Sequence, residues 1–180
     1  ALDSGAAAGA GTVAKNIASH FNLFYLDTGK IYRYIGKLKI LNAKKFNYSL
    51  VKKEMKSLKM KDLQNKNLLT NEVAMSASII AKDKKIRQIV HNFQTKCAYN
   101  PPNKYAGSIL DGRDITSVIM KNAMFKFYIT ANIKTRAIRR YKEFKNLNKK
   151  ISYQEVLKSI KKRDKSDTQR KFGKLKKTKD

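Results

Sequence analysis

A loop made only of small residues, near the start of the chain, most constrains the fold. Residues 4–11 are all Ser, Gly or Ala, and they follow Leu2-Asp3, which reads as the end of a β-strand. From Thr12 onward, apolar residues recur at helical spacing and predict an amphipathic helix. Small side chains let backbone N–H groups converge on an anion at a helix N-terminus. The pattern therefore predicts a strand, an anion-binding loop and a helix.

Further strand signals alternate with helical ones. Apolar segments at 24–26, 108–110 and 124–130 predict strands, and Asp27-Thr28-Gly29 turns the first of these into a second helix. Alternation of this kind predicts an α/β fold in which one parallel sheet is flanked by helices on both faces. The loops that carry motifs are then expected along the carboxyl edge of the sheet.

The helical segments differ in the strength of their signals. Residues 72–81 are helix-like, Asp83 can cap the next helix, and Ser152 with Glu155 matches a capping box. Residues 41–70 are rich in Lys and Asn and have only a weak helical pattern. We therefore predict a core formed by residues 1–40 and 71–180, with 41–70 as a small inserted lobe.

The small-residue loop nearly matches the phosphate-loop pattern G-x-x-x-x-G-K-[ST]. Ser4 stands where the first glycine belongs, and Ala10 stands where the pattern has the lysine that contacts the β- and γ-phosphates. By itself the stretch is also compatible with an Ala/Gly-rich lead-in to a helix. The candidate nucleotide-binding residues are Ser4, Gly5, Ala6, Ala7, Ala8, Gly9, Ala10, Gly11 and Thr12.

A carboxylate downstream supports the nucleotide-binding interpretation. Asp111 ends an apolar strand, as a magnesium-ordering carboxylate of the Walker B type does, and Thr12 can offer its hydroxyl to the same ion. The sequence therefore predicts Thr12 and Asp111 as ligands of Mg²⁺.

Arginine is used sparingly in this chain. Of 41 basic residues only eight are arginine, and each lies in or beside a short polar motif. The arginine fork grips phosphate or carboxylate with two hydrogen bonds, which lysine cannot do. Ordinary salt-bridge roles remain an alternative for any single arginine, whereas the set predicts phosphate handling. The eight are Arg33, Arg87, Arg113, Arg136, Arg139, Arg140, Arg163 and Arg170.

The net charge of +28 raises the possibility of nucleic-acid binding. The lysines, however, are spread along every helical segment, and only Lys171–Lys179 is a dense run. The sequence has no zinc-ligand spacing, aromatic RNP-like strand or KH-type glycine clamp, so nucleic-acid binding is not expected as the main function. The charge predicts a positive field that attracts anionic substrates and weakens with salt.

Cysteine content and hydropathy give an expected location. A single cysteine, Cys97, excludes an intrachain disulfide and fits a reducing compartment. No charged-then-apolar leader and no apolar run of membrane-spanning length occurs in the sequence. We expect a soluble, cytoplasmic protein that does not associate with membranes.

Together, six elements in order resemble the bacterial cytidylate kinases, which belong to the P-loop nucleoside monophosphate kinases. The resemblance covers most of the chain. The elements are Asp3–Lys15, Leu26–Arg33, Asn71-Glu72-Val73 with Ser78 and Arg87, Asp111–Ile115, Arg139–Tyr141, and Arg163–Arg170.

The resemblance implies a role for each acceptor-side residue. It assigns cytosine recognition to Ser78, Arg87 and Asp114, and binding of the acceptor phosphate to Arg33, Arg113 and Arg170. It also puts Asp27, Tyr32 and Asp111 in the monophosphate pocket and gives the ribose contacts to Arg163 and Asp167.

The resemblance also implies a helical lid, at about residues 136–152, that closes over ATP. Arg136, Arg139 and Arg140 share one helical face beside this lid, and a solvated face is the alternative reading for them. The residues implied in catalysis are Arg113, Asp114, Arg139, Arg140 and Arg170.

The implied reaction moves the γ-phosphoryl group of ATP to CMP or dCMP, with Mg²⁺, and we expect a monomeric enzyme. The chain departs from the family pattern at Ser4, Gly5, Ala10 and Lys174, and it stops at Asp180, before the family's last strand. Two alternatives therefore remain open. One is a catalytically weakened nucleotide-binding protein of the same fold, and the other is a basic RNA-associated protein.

Overall fold

A computed structural model of the chain describes residues 1–147 and 150–179. Its sheet has four strands within these residues, all parallel, in the order β2-β3-β1-β4. The parallel α/β fold predicted from the alternation of elements is confirmed. The strands are β1 (Leu2–Ser4), β2 (Leu23–Asp27), β3 (Gly107–Gly112) and β4 (Phe127–Ile129).

Helices connect the strands. They are α1 (Ala10–His20), α2 (Thr28–Leu41), α3 (Tyr48–Ser57), α4 (Asn71–Ile80), α5 (Lys84–Tyr99), α6 (Ile133–Asn146) and α7 (Tyr153–Gln169). Shorter turns of helix occur at Asp62–Gln64, Lys66–Leu69 and Ile115–Ile119. The predicted caps are confirmed, since Asp83 accepts a hydrogen bond from the Ile86 N–H, and Ser152 with Glu155 forms the capping box.

Helices cover both faces of the sheet, as the alternation of strand side chains requires. Ile109 of β3 packs with Ala14 and Ala18 of α1, whereas its neighbour Leu110 belongs to the larger cluster that includes α2, α3 and α5. That larger cluster contains fully buried Ile35. The predicted helix layers on both faces are therefore confirmed.

The segment predicted as an inserted lobe, residues 41–70, packs into the main core. Val51 and Met55 of α3, together with Leu58 and Leu63, belong to the same buried cluster as α2 and α5. This packing holds the segment against the sheet-covering helices. The division of the chain into a core and a lobe at 41–70 stays a prediction.

Two local predictions are wrong, and one element was not predicted. Helix α1 begins at Ala10, before the predicted start at Thr12, because Gly9 takes the left-handed conformation (φ 101°) that ends the loop. Strand β4 spans only three residues of the predicted 124–130, since it pairs with the three residues of β1, and Met124 is 88% exposed. The turn Ile115–Ile119 was not predicted.

The unpredicted turn depends on a residue distant in sequence. The buried carboxylate of Asp3 accepts hydrogen bonds from the N–H groups of Ile115 and Thr116 and from the Thr116 hydroxyl, at 2.7–2.9 Å. Burial raises the pKa of Asp3, while these hydrogen bonds act in the opposite direction. The contact fixes the chain that leaves β3 against β1.

Within the described residues, no helix has both the length and the apolar composition needed to cross a bilayer.

Candidate active site

A cavity of about 880 Å³ lies at the carboxyl edge of the sheet. The register of the parallel strands brings Asp27 opposite Asp111 and Asp3 opposite Gly112, so the loops after β1, β2 and β3 meet there. The motif loops therefore share one edge, as expected for this topology. Ala6, Arg136 and Arg140 are the predicted residues that do not line the cavity, and the other predicted site residues do.

The small-residue stretch is a loop rather than a helix lead-in. It runs from the end of β1 to Gly9, and α1 begins at Ala10, which lines the cavity and is only 4% exposed. Ala7 has a φ of 58°, a left-handed conformation that normally favours glycine. The loop thus presents the start of α1 to the cavity, which suits binding of an anion.

An ion pair between α6 and α7 holds the loop. Arg136 and Asp164 lie 2.6 Å apart, and both contact Ala6: the Arg136 guanidinium donates to its carbonyl, and Asp164 accepts from its N–H, each at 3.1 Å. A Cβ at Gly5 would lie 2.8 Å from Arg136 Nη1, so glycine leaves room for the pair. Arg136 thus supports the loop from outside the cavity.

The other two arginines of α6 differ in their partners. Arg139 lines the cavity and donates to the carbonyl of Ala8 at 3.3 Å. Arg140 pairs instead with Glu143 at 2.7 Å and stays outside the lining. The shared helical face of the three arginines therefore does not give them one function.

An arginine–aspartate pair stands on one wall of the cavity. Arg87 and Asp114 form a close ion pair, and both side chains are largely buried. Arg87 also donates to the carbonyl of Ala81 at 3.1 Å, and its guanidinium lies 5.5 Å from the centre of the Tyr32 ring. Ser78 lines the same region. The pair offers fixed donors and acceptors to a planar polar ligand.

Three arginines share the carboxylate of Asp167 as an ion-pair partner. Its carboxylate lies 2.9 Å from Arg113 Nε, 3.5 Å from Arg170 Nη1 and 3.9 Å from Arg163 Nε. One buried carboxylate therefore balances only part of three guanidinium charges. The excess of positive charge makes this wall of the cavity suited to an anion.

The arginine pKa values reflect this crowding. Burial, followed by the charges of neighbouring arginines, lowers the pKa of Arg33 and of Arg170, and lowers that of Arg163 to about 10. All three remain protonated at neutral pH. Arg33 donates to the Leu68 carbonyl at 2.9 Å and has no carboxylate partner within the described part of the chain. An incoming anion would relieve the repulsion.

Asp111 is the carboxylate that best fits a metal ion. Its Oδ1 is buried without a hydrogen-bond partner, and its Oδ2 accepts a long hydrogen bond (3.4 Å) from the Tyr25 hydroxyl. Burial, and then the nearby charge of Asp27, raise the pKa of Asp111 to about 7. An orphaned carboxylate oxygen beside the start of α1 suits Mg²⁺, which commonly takes one or two carboxylates and completes its shell with phosphate and water.

The raised pKa of Asp111 gives a testable effect on stability. A carboxyl group whose pKa is higher in the folded protein stabilises the fold below its ordinary pKa of 3.8, and this contribution is lost as the pH rises to about 7. We therefore expect Asp111→Asn to gain stability over the wild type between pH 5 and 7, by at most about 1.4 kcal/mol per pH unit, and to hold that gain above pH 7.

The measurement is urea unfolding of the metal-free proteins at several pH values. Asp62→Asn is the control, because Asp62 is only partly buried and does not line this cavity. A constant difference between Asp111→Asn and the wild type at all pH values would contradict the assignment.

The sequence analysis missed several residues in and around the site, and four of them bear on its chemistry. Lys15 lines the cavity and lowers the pKa of Asp111, and Tyr25 contacts Asp111 directly. Glu143 lines the cavity from α6, and Gly173 lies against Arg87 and Asp114. Only Lys15 had a usable sequence signal, since it stands one helical turn after Gly11.

Comparisons with known proteins agree on one family. The cytidylate kinase family model matches residues 1–180. The cytidylate kinase of Paramagnetospirillum magneticum is 37% identical over 171 residues, covering 94% of this chain and 81% of the relative. The cytidylate kinase of Clostridium tetani is 37% identical over 191 residues, covering 100% of this chain and 82% of the relative. The cytidylate kinase of Bartonella tribocorum is 38% identical over 179 residues, covering 98% of this chain and 80% of the relative.

Proposed function

This chain belongs to the cytidylate kinase family, and we propose that it transfers the γ-phosphoryl group of ATP to CMP or dCMP, giving CDP or dCDP. The observation that carries the proposal is the position of the three arginines around Asp167. They stand in the same cavity as the small-residue loop and the Arg87–Asp114 pair. These features support the binding of a base, its phosphate and a second nucleotide in one cavity.

The acceptor would bind on the arginine-rich wall. Arg33, Arg113 and Arg170 are proposed to bind its phosphate, and they line one cavity without enough carboxylate to neutralise them. The Arg87–Asp114 pair, with Ser78, would bind the cytosine ring, because cytosine and uracil differ in a donor and an acceptor at one edge. Arg163 and Asp167 are proposed as the ribose contacts.

The donor would bind on the loop side. The start of α1 offers backbone N–H groups to the ATP phosphates, and Arg139 and Lys15 bring positive charge to this part of the cavity. Asp111 and Thr12 are proposed to hold Mg²⁺, which would neutralise charge on the transferred phosphoryl group. The lid at about 136–152 is proposed to close over the donor.

Catalysis by these residues consists of positioning and charge stabilisation. The attacking atom is an anionic phosphate oxygen, so no general base is required and Asp114 only holds the base ring. Arg113, Arg139, Arg140 and Arg170 are proposed to stabilise charge in the transition state, with Arg140 first leaving Glu143. Closure of α6 toward the cavity would exclude water, which otherwise competes as acceptor.

One feature favours a weakened enzyme. Ala10 stands where the phosphate-loop pattern has its lysine, and its methyl group offers no charge to the donor phosphates. Loss of one preorganised donor typically slows a reaction by about 10² to 10³. We therefore propose slow phosphoryl transfer together with ordinary acceptor binding.

We also propose that the enzyme is monomeric and cytoplasmic. A net charge of +28 makes copies of the chain repel one another. The half-buried thiol of Cys97, whose pKa burial raises to about 11, suits a reducing compartment.

A coupled assay of ATP consumption with CMP, dCMP, UMP and AMP as acceptors tests the proposal. We expect CMP and dCMP to be preferred, and EDTA to abolish turnover. The control is Asp114→Asn, which keeps the shape of the cytosine site but removes its charged acceptor, and which should reduce the preference for CMP. Equal use of all four acceptors, or turnover unaffected by EDTA, would contradict the proposed reaction.

A further inference from the structure

The residues that follow α7 fold back onto the acceptor side of the cavity. We call residues 171–175 the C-terminal strap. Leu175 anchors it, because its side chain is 5% exposed and its N–H donates to the carbonyl of Asp167 at 2.7 Å. The ring of Phe172 lies near the ammonium groups of Lys84 and Lys171, at 5.2 and 5.7 Å. The strap therefore contacts both the end of α7 and the start of α5.

Gly173, at the middle of the strap, lies directly against the base-binding pair. A Cβ built on Gly173 would overlap the Arg87 guanidinium and would lie 2.5 Å from Asp114 Oδ2. Gly173 also has a φ of 58°, in the left-handed region where a side chain is strained. Both the space and the backbone conformation thus require glycine here.

The carbonyl of Gly173 binds a third acceptor-side residue. Arg170 donates to this oxygen from both Nε, at 2.6 Å, and Nη2. A guanidinium held by two of its donors has a fixed plane, and Nη1 of Arg170 is then aimed toward Asp167. Gly173 itself does not line the cavity, so it can act on an acceptor only through other residues.

We propose that Gly173 is a positioning residue for the acceptor. It backs the Arg87–Asp114 pair on one side and orients Arg170 through its carbonyl. Its lack of a side chain therefore sets where the base-binding donors and one phosphate-binding fork stand. This inference rests on the proposed function, since it assumes that Arg87, Asp114 and Arg170 bind the acceptor.

The test is Gly173→Ala, with Gly107→Ala as the matched control. Gly107 lies in β3, its Cβ would be 3.4 Å from Leu23 Cδ2, and it does not line the cavity. We expect Gly173→Ala to raise the KM for CMP by about tenfold or more while the KM for ATP stays unchanged. The ratio of kcat/KM for CMP to that for UMP should also fall, which a general loss of stability would not produce.

A double variant identifies the route of the effect. Lysine at position 87 keeps the charge but removes the guanidinium that a Cβ at position 173 would displace. In the Arg87→Lys background, Gly173→Ala should therefore raise the KM for CMP by a smaller factor than in the wild type, and the part that remains reports the routes through Asp114 and Arg170. The inference would be overturned if the KM for CMP of the double variant rose by the full product of the two single-variant factors. An unchanged KM for CMP and an unchanged CMP:UMP ratio in Gly173→Ala would overturn it as well.

Two further measurements keep the outcome clear. If Gly173→Ala does not fold, Leu175→Ala releases the anchor without adding an atom near Arg87, and it should raise the KM for CMP but not for ATP. An unchanged KM for CMP in that variant would equally overturn the inference. Failure of the wild type to bind CMP in calorimetry would instead reject the proposed function, so the two failures are distinguishable.

Discussion

Replacing Ala10 with lysine is expected to raise kcat by about 10² or more, while the affinity for CMP changes little. Ala10 is the first residue of α1 and lines the cavity beside the loop, so a lysine there can extend toward the donor phosphates. The added ammonium would act mainly on the transferring phosphoryl group. CMP lies on the arginine-rich wall in our proposal, and its ground-state binding should therefore be nearly unaffected.

The measurements are steady-state kinetics with ATP and CMP, and calorimetry for CMP. Ser19→Lys is the control, because it adds the same charge to an exposed position of α1 that does not line the cavity. It should leave kcat unchanged. If Ala10→Lys is folded but no faster than the wild type, another cation, such as Arg139 or Lys15, already supplies the missing charge and our account of the loop is wrong.

Replacing Asp167 with asparagine is expected to lower the free energy of unfolding by about 3 kcal/mol. The change keeps the shape of the side chain but removes the one carboxylate shared by Arg113, Arg163 and Arg170. Three guanidinium groups would then face one another without a counter-charge. Sulfate should restore stability more in the variant than in the wild type, because it can replace the lost anion.

Urea unfolding with and without sulfate measures both effects. The control is Glu143→Gln, which breaks the single exposed pair with Arg140 and should cost less than about 1 kcal/mol. Equal losses of unfolding free energy in the two variants, or equal responses to sulfate, would mean that Asp167 does not neutralise the arginines of this wall.

Much of the fold follows from local rules in the sequence. The caps at Asp83 and Ser152 depend on hydrogen bonds to residues three positions away, so the sequence contains all the information they need. The alternation of strands and helices fixes a parallel sheet, and a parallel sheet brings its loops to one edge. The cavity residues from the loops after β1, β2 and β3 were predictable for that reason.

Long-range contacts limit what the sequence can predict about the arginines. Eight arginines and 13 acidic residues allow many pairings, and no local pattern selects among them. Arg113 pairs with Asp167, 54 residues away in sequence. Arg136 pairs with Asp164 and also contacts Ala6, which lies 130 residues before it. Sequence spacing put Arg136 and Arg140 on one face, but their distant partners give them different surroundings.

The sequence by itself determined the alternation of strands and helices along the chain, the small-residue loop, the helix caps and the residue types available for binding phosphate. The tertiary structure alone decided the three-residue length of β4, the turn that Asp3 anchors, the sharing of Asp167 by three arginines and the fit of Gly173 against Arg87. The first group depends on side-chain size and on neighbours within a few residues. The second depends on which distant groups come within about 3 Å, where hydrogen bonds and ion pairs form, and only packing sets those distances.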